Sequence, residues 1–281
     1  MSLNQEVLRV RLYKSKWGAR IMDKEVSAAA RKAHNAAKDA GSFNKKLAPA
    51  NFLTGVNSAF SVLDDFFKQE TVSWDDDGWR LLPNDKYFEF FSRIGELKAN
   101  ITEEVEKIQA NWDHFLGNEA IRLGDMYKAT DYPTYSEIGD EYGIRIKSRP
   151  LQVEDDVRLN IRDDAAQAIR DEVTAENRDN HERALTDLWN RLYDPVSKLA
   201  ERMQETELKG QKSLVTNIFD ITQVLPKLNV FGDQDLEDMY REVEQKLTRH
   251  SMKKMKIDED AHTETRQAVD EIMKKMEAFV S

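Results

Sequence analysis

Between Leu151 and Asp194 the chain has neither glycine nor proline, the two residues that most often end a helix. From there to Glu207 only Pro195 intervenes. The stretch from Glu154 to about Glu207 therefore reads as one very long helix, or as two collinear helices meeting at Pro195. Ala166, Ile169 and Val173 are spaced by three and four residues, and Leu185, Leu188, Leu192, Val196, Leu199 and Met203 form a second stripe at helical period. Acid-to-arginine pairs four apart (Glu154–Arg158, Asp179–Arg183, Asp187–Arg191) favour the same helix. A straight helix of this length spans roughly 80 Å, so part of it is expected to project. The stripe stays in register across Pro195, which favours a kink over a new helix capped by Asp194.

A polar tract, Thr174 to Arg183, separates the two stripes, with Asn177 and His181 in the slots where the seam would continue. It reads either as a solvated or register-setting layer, or as a contact segment for a partner. Asn177 and His181 are its candidate contacts.

A second seam runs through Phe91, Ile94, Ile101, Val105, Ile108, Trp112 and Phe115, with Lys98 in one slot and Leu97 beside it. A 3.5-residue repeat predicts supercoiling against another long helix, and the helix from Glu154 is the expected antiparallel partner. Shorter amphipathic helices are expected over Asp23–Ala40 and over Phe52, Val56, Phe60, Leu63 and Phe67. Three more are expected in the last third of the chain. One carries Leu214, Ile218, Ile221 and Leu225 and is stopped by Pro226; one is capped by Asp233 and buries Leu236, Tyr240, Val243 and Leu247; the last uses Thr265, Val269, Ile272, Met276 and Phe279. Met252–Lys256 reads as a basic hinge, and Lys45–Asn51 as a loop.

Strand signals are fewer. Leu8, Val10 and Leu12 alternate with Arg9, Arg11 and Tyr13, and Ile144 and Ile146 alternate with Arg145, Lys147 and Arg149. Trp74 and Trp79 flank Asp75-Asp76-Asp77-Gly78, a hairpin signature. These pieces are expected to join in one small sheet. The expected fold is mainly α: long antiparallel coiled-coil-like helices with a small sheet of short strands as an α+β head, elongated overall. Residues 1–210 are expected to form the helical domain with the helix pair and sheet. Residues 211–281 then form a C-terminal helical segment packing on it or on a partner.

Composition agrees with a surface-rich helical protein: 33% of residues are charged, and eleven glycines and six prolines are few for 281 residues. The net charge of −10 argues against a general nucleic-acid coat, while leaving room for a local basic patch. There is no cysteine, hence no disulfide framework and no thiolate metal site. No signal-peptide core or membrane-length apolar run is present, so the expectation is a protein of a bacterial host's cytoplasm with no membrane partner.

Chemistry-bearing motifs are weak. Gly210-Gln211-Lys212-Ser213 has the ending of a phosphate-binding loop but lacks its upstream glycine and strand, and reads better as a helix start. The five histidines are scattered, and no cofactor is expected. The basic strands say more. Arg9, Arg11, Arg145, Lys147 and Arg149 would share one face if their strands are neighbours, and such a face binds single-stranded nucleic acid or a partner. Alternatively these residues pair with the chain's own acids. Trp74 and Trp79 either plug the sheet against a helix or, if exposed, form a docking knob.

Several segments resemble a family of uncharacterised phage and conjugative-element proteins. They are the strand Leu8–Tyr13 leading to Trp17-Gly18, Tyr132-Pro133-Thr134 before the strand at Gly143, and Leu225-Pro226-Lys227-Leu228-Asn229 followed by Asp233. The order and spacing fit over about the first 240 residues. Members of that family, a domain of unknown function, are encoded near MoxR-type AAA+ ATPases, von Willebrand factor A proteins or phage recombination genes. The resemblance implies a mobile-element origin and an ATPase-associated role, and carries no catalytic residue onto this chain. The expected function is a non-enzymatic helical adaptor or scaffold that self-associates or works with an AAA+ ATPase. The alternative is an accessory nucleic-acid-associated protein of phage recombination or replication.

Overall fold

A computed structural model describes residues 6–152, 163–205 and 213–280. The chain is mainly helical with a small antiparallel sheet. In order, the elements are β1 (Val7–Ser15), β2 (Arg20–Asp23), α1 (Lys24–Ala33), β3 (Phe43–Lys46), α2 (Thr54–Gln69), β4 (Val72–Ser73), β5 (Arg80–Pro83), α3 (Tyr87–Ala110), α4 (Trp112–Leu123), α5 (Glu137–Asp140) and β6 (Gly143–Pro150), followed by α6 (Asp163–Met203), α7 (Ser213–Leu228), α8 (Gln234–Leu247), α9 (Met252–Met255) and α10 (Glu259–Val280). One sheet has the order β4-β5-β1-β6, and β2 and β3 form a separate two-stranded ribbon. The chain divides into two compact units: Met1–Arg11 with Lys68–Phe88 and Lys147–Ser281, and Leu12–Phe67 with Glu89–Ile146.

The first unit is organised on α6. Its helix runs through Pro195 without a break, as the in-register stripe predicts. Leu188, Leu192, Val196 and Leu199 are fully buried, with Ala184 taking the slot expected for Leu185, which is half-buried. The seam shares one hydrophobic cluster with Ile218 and Leu225 of α7, Val243 and Leu247 of α8, Val269 and Ile272 of α10, and Val72 and Leu81 of the sheet. Among the described residues, none from α3 belongs to that cluster. The apolar face of α6 is thus closed by helices that follow it in the chain, where the sequence reading had assigned α3 as its partner. A 3-4 repeat specifies a face to be covered but not what covers it. The expected start at Glu154 and the Glu154–Arg158 pair lie outside the described residues, as does the expected boundary at 210/211.

Local signals in this unit are read correctly in most places. Asp233 caps α8 by accepting from the Leu236 amide at 2.7 Å. Two expectations change. Pro226 sits inside the last turn of α7, and the helix continues to Leu228, with the Asn229 amide bonded to the Leu225 carbonyl at 2.9 Å. Met252–Lys256 is not a hinge: Ser251 caps the short α9, and Met252 and Met255 are buried.

The second unit has an aromatic core. Phe52 and Phe115 stack with centroids 3.8 Å apart, and Trp17 meets Trp112 edge-on at 5.2 Å. The long seam expected to run to Phe115 is broken at Asn111, whose φ of −103° and ψ of 8° leave the helical region between α3 and α4. Phe90 and Leu97 are buried in α3, with Ile94, Ile101, Val105 and Ile108 as expected. The helix expected over Asp23–Ala40 ends at Ala33, because Asn35 turns into the left-handed region at φ 48°. That early end frees Phe43–Lys46 to pair with Arg20–Asp23, so part of the expected loop is strand β3. Lys45, paired with Ile21 in that ribbon, is buried at 2% exposure. Its ammonium donates to the Met126 carbonyl at 2.7 Å and lies 2.5 Å from Asp131 and 3.5 Å from Asp23.

Candidate functional site

The sheet order makes β1 and β6 neighbours, the condition under which their arginines and lysine converge. Strand side chains alternate, so Arg9 and Arg11 lie on one face of β1, and Lys147 and Arg149 on one face of β6. Arg9 and Arg149 meet at Trp79, their guanidinium carbons 5.6 and 5.2 Å from the indole centroid. Arg9 is half-buried, and its Nε is buried with no hydrogen-bond acceptor among the described residues. Arg149 is exposed. Neither carries an ion pair among the described residues, so the pairing with the chain's own acids does not occur for them there. Arg11 and Lys147 are half-buried, and each has a partner of its own. Arg145 is exposed in the second unit, with its guanidinium carbon 5.1 Å from the Tyr13 ring.

This face is not simply the solvent side that the alternation implies. Arg9 is paired with Leu81, and Val7 lies two residues before it; both Leu81 and Val7 are buried in the cluster around α6. The basic residues begin where the core face of the sheet emerges. Trp79 stands at that border, 8% exposed, and Trp74 is deeper at 2%. The Trp74 amide bonds to the Trp79 carbonyl at 3.1 Å. The tryptophans therefore plug the sheet and do not form a projecting knob.

In the polar tract of α6, Asn177 donates to the Gln152 carbonyl at 3.0 Å, and the His181 ring meets Phe231 edge-on at 4.4 Å. Both are half-buried. The residue carried inward there is Asn180, 5% exposed, accepting from Arg183 at 3.4 Å. Arg183 pairs with Asp76 at 3.1 Å instead of the expected Asp179, while the expected Asp187–Arg191 pair forms at 2.9 Å.

That last pair belongs to a polar cluster that sequence reading missed. One Asp187 carboxylate oxygen accepts from Arg191, from the Ser73 amide at 2.9 Å and from Arg80 at 3.4 Å. The Thr71 carbonyl takes a bond from each guanidinium, at 2.7 and 2.8 Å. Burial pushes Arg80 down to about 10, Asp187 partly offsets this and Arg191 adds to it, so the group stays charged at neutral pH. These side chains line a cleft of about 610 Å³ with Lys68, Asp194 and Asn217. Gly210–Lys212 lie outside the described residues, and α7 begins at Ser213. Among the described residues no three His, Asp or Glu side chains converge in a way that would hold a metal.

The ribbon was also missed. Ile21, Met22 and Phe43 are 38, 48 and 39% exposed, a concentration of large apolar side chains on two four-residue strands. The only signal in the sequence was Ile21-Met22 standing between Gly18 and the cap Asp23. Among the described residues no helix is long and apolar enough to cross a membrane. Comparison with protein-family models, with curated proteins and with solved structures finds no match to this chain.

Proposed function

We propose that the chain is a non-enzymatic interaction protein of phage or mobile-element origin, a helical adaptor that works with an AAA+ ATPase in the host cytoplasm. The observation that carries the reading is the β2–β3 ribbon. An isolated two-stranded ribbon is marginal by itself, and this one spends its short strands on exposed Ile21, Met22 and Phe43. What anchors it is polar: Lys45 against Asp23, Asp131 and the Met126 carbonyl. A ribbon pinned by buried charge that presents apolar side chains suits contact with another protein. The ATPase as partner rests on the family resemblance and on nothing in the geometry.

The test uses the full chain and a MoxR-type AAA+ ATPase, after nuclease digestion. Co-sedimentation of the two is expected, and Ile21→Ser with Met22→Ser and Phe43→Ser should weaken it at least tenfold while the circular dichroism stays that of the parent. No co-sedimentation with the parent, together with unchanged ATP turnover by the ATPase, rejects the reading.

A further inference from the structure

We infer that Arg9 and Arg149 form a phosphate clamp for the backbone of single-stranded nucleic acid, a binding site distinct from the ribbon and independent of the ATPase reading. Two guanidiniums converge on the Trp79 ring from two neighbouring strands. Like charges brought together need an anion, and among the described residues neither arginine has a carboxylate. The Arg9 Nε is buried, so a ligand meets this half-buried arginine at the part of its guanidinium that stays exposed. A phosphodiester supplies two acceptor oxygens in the planar geometry a guanidinium matches.

Trp79 decides how such a ligand would be held. At 8% exposure, and with both cations near its ring, the indole has no open face for a base to stack on. It holds the guanidiniums, and recognition falls to the phosphates, so the site is indifferent to base sequence. Arg11 and Lys147, two residues along on the same strands, each have a partner of their own, so the clamp consists of Arg9 and Arg149. The whole chain carries a net charge of −10, which opposes general binding of a polyanion and leaves a local, steeply salt-dependent contact.

The experiment is fluorescence anisotropy of a labelled oligo(dT) against the full chain over a range of salt, with inorganic polyphosphate as competitor. The parent is expected to bind, with affinity falling linearly with log salt. Arg149→Gln, at an exposed position, should flatten that slope by about 0.7, the value of one lost single-strand contact. Lys253→Gln, which removes an equal charge from an exposed site on α9, should leave it unchanged. Absence of binding by the parent at low salt, or equal weakening by the two substitutions, overturns the clamp. Displacement by polyphosphate at a lower phosphate concentration than by unlabelled oligo(dT) overturns its assignment to nucleic acid.

Discussion

The two units each contain an ion cluster, half-buried in one and buried in the other, and the clusters are opposite in sign. In the unit built on α6, one carboxylate, Asp187, is held by two guanidiniums, Arg80 and Arg191, and the surplus positive charge is taken up by backbone carbonyls. In the other, one ammonium, Lys45, is held by two carboxylates, Asp23 and Asp131. Their surroundings differ too. The Asp187 cluster sits beside an extended aliphatic core, with Leu188, Leu192, Val196 and Leu199 fully buried. The Lys45 cluster anchors a ribbon of only four-residue strands. An ion cluster next to a large core adds register; one under a small ribbon holds the ribbon in place.

The largest expected effect sharpens that contrast. Lys45→Met removes the one cation between two carboxylates at a site 2% exposed, and should cost about 3–5 kcal/mol, measured by urea denaturation. An effect under about 1 kcal/mol would show the ribbon to be held by something else. Leu192→Ala opens a cavity in the aliphatic seam and should cost about 2–5 kcal/mol, whereas Leu192→Met should cost less than about 1.5 kcal/mol. If both substitutions cost the same, the seam is less tightly packed than its full burial indicates. Asp187→Ala leaves Arg80 and Arg191 without their shared acceptor. Its side chain is 26% exposed, and about 1–3 kcal/mol is expected, below the Lys45 effect.

Acid should act on both units by the same rule. The Val26 amide, and after it Lys45, hold the Asp23 carboxyl below its usual range, and Lys246 and Lys275 do the same for Glu271. A depressed folded pKa contributes stability that is present above the unfolded value and lost as pH falls through the folded one. Thermal midpoints should therefore stay level from neutrality to about pH 5 and drop below about pH 4. Asp23→Asn should make that drop shallower, and an unchanged acid limb would remove Asp23 from the account. The smallest effect is expected in the polar tract. Asn177→Ala loses one hydrogen bond to the Gln152 carbonyl at a half-buried site, and should cost about 0.5–1.5 kcal/mol.

What the chain determined by itself is what local chemistry can encode. The 3-4 spacing of Leu188, Leu192, Val196 and Leu199 dictates a helix with one apolar face, in register through Pro195, and Asp233 marks the start of α8 because its side chain reaches an amide three residues on. The alternation in β1 and β6 likewise made strands with a basic face legible. Tertiary structure decided everything that depends on distant partners. It chose α7 and α10 to close the α6 seam, since an apolar stripe is equally satisfied by any helix of matching face. It broke the second seam at Asn111, which no glycine or proline announces. It buried Lys45, a residue indistinguishable in sequence from its exposed neighbour Lys46, because only the fold brings Asp131 to it from 86 residues away (131 − 45). It also brought Arg9 and Arg149 to Trp79, since a contact among strands far apart in the chain leaves no period in the sequence from which to read it.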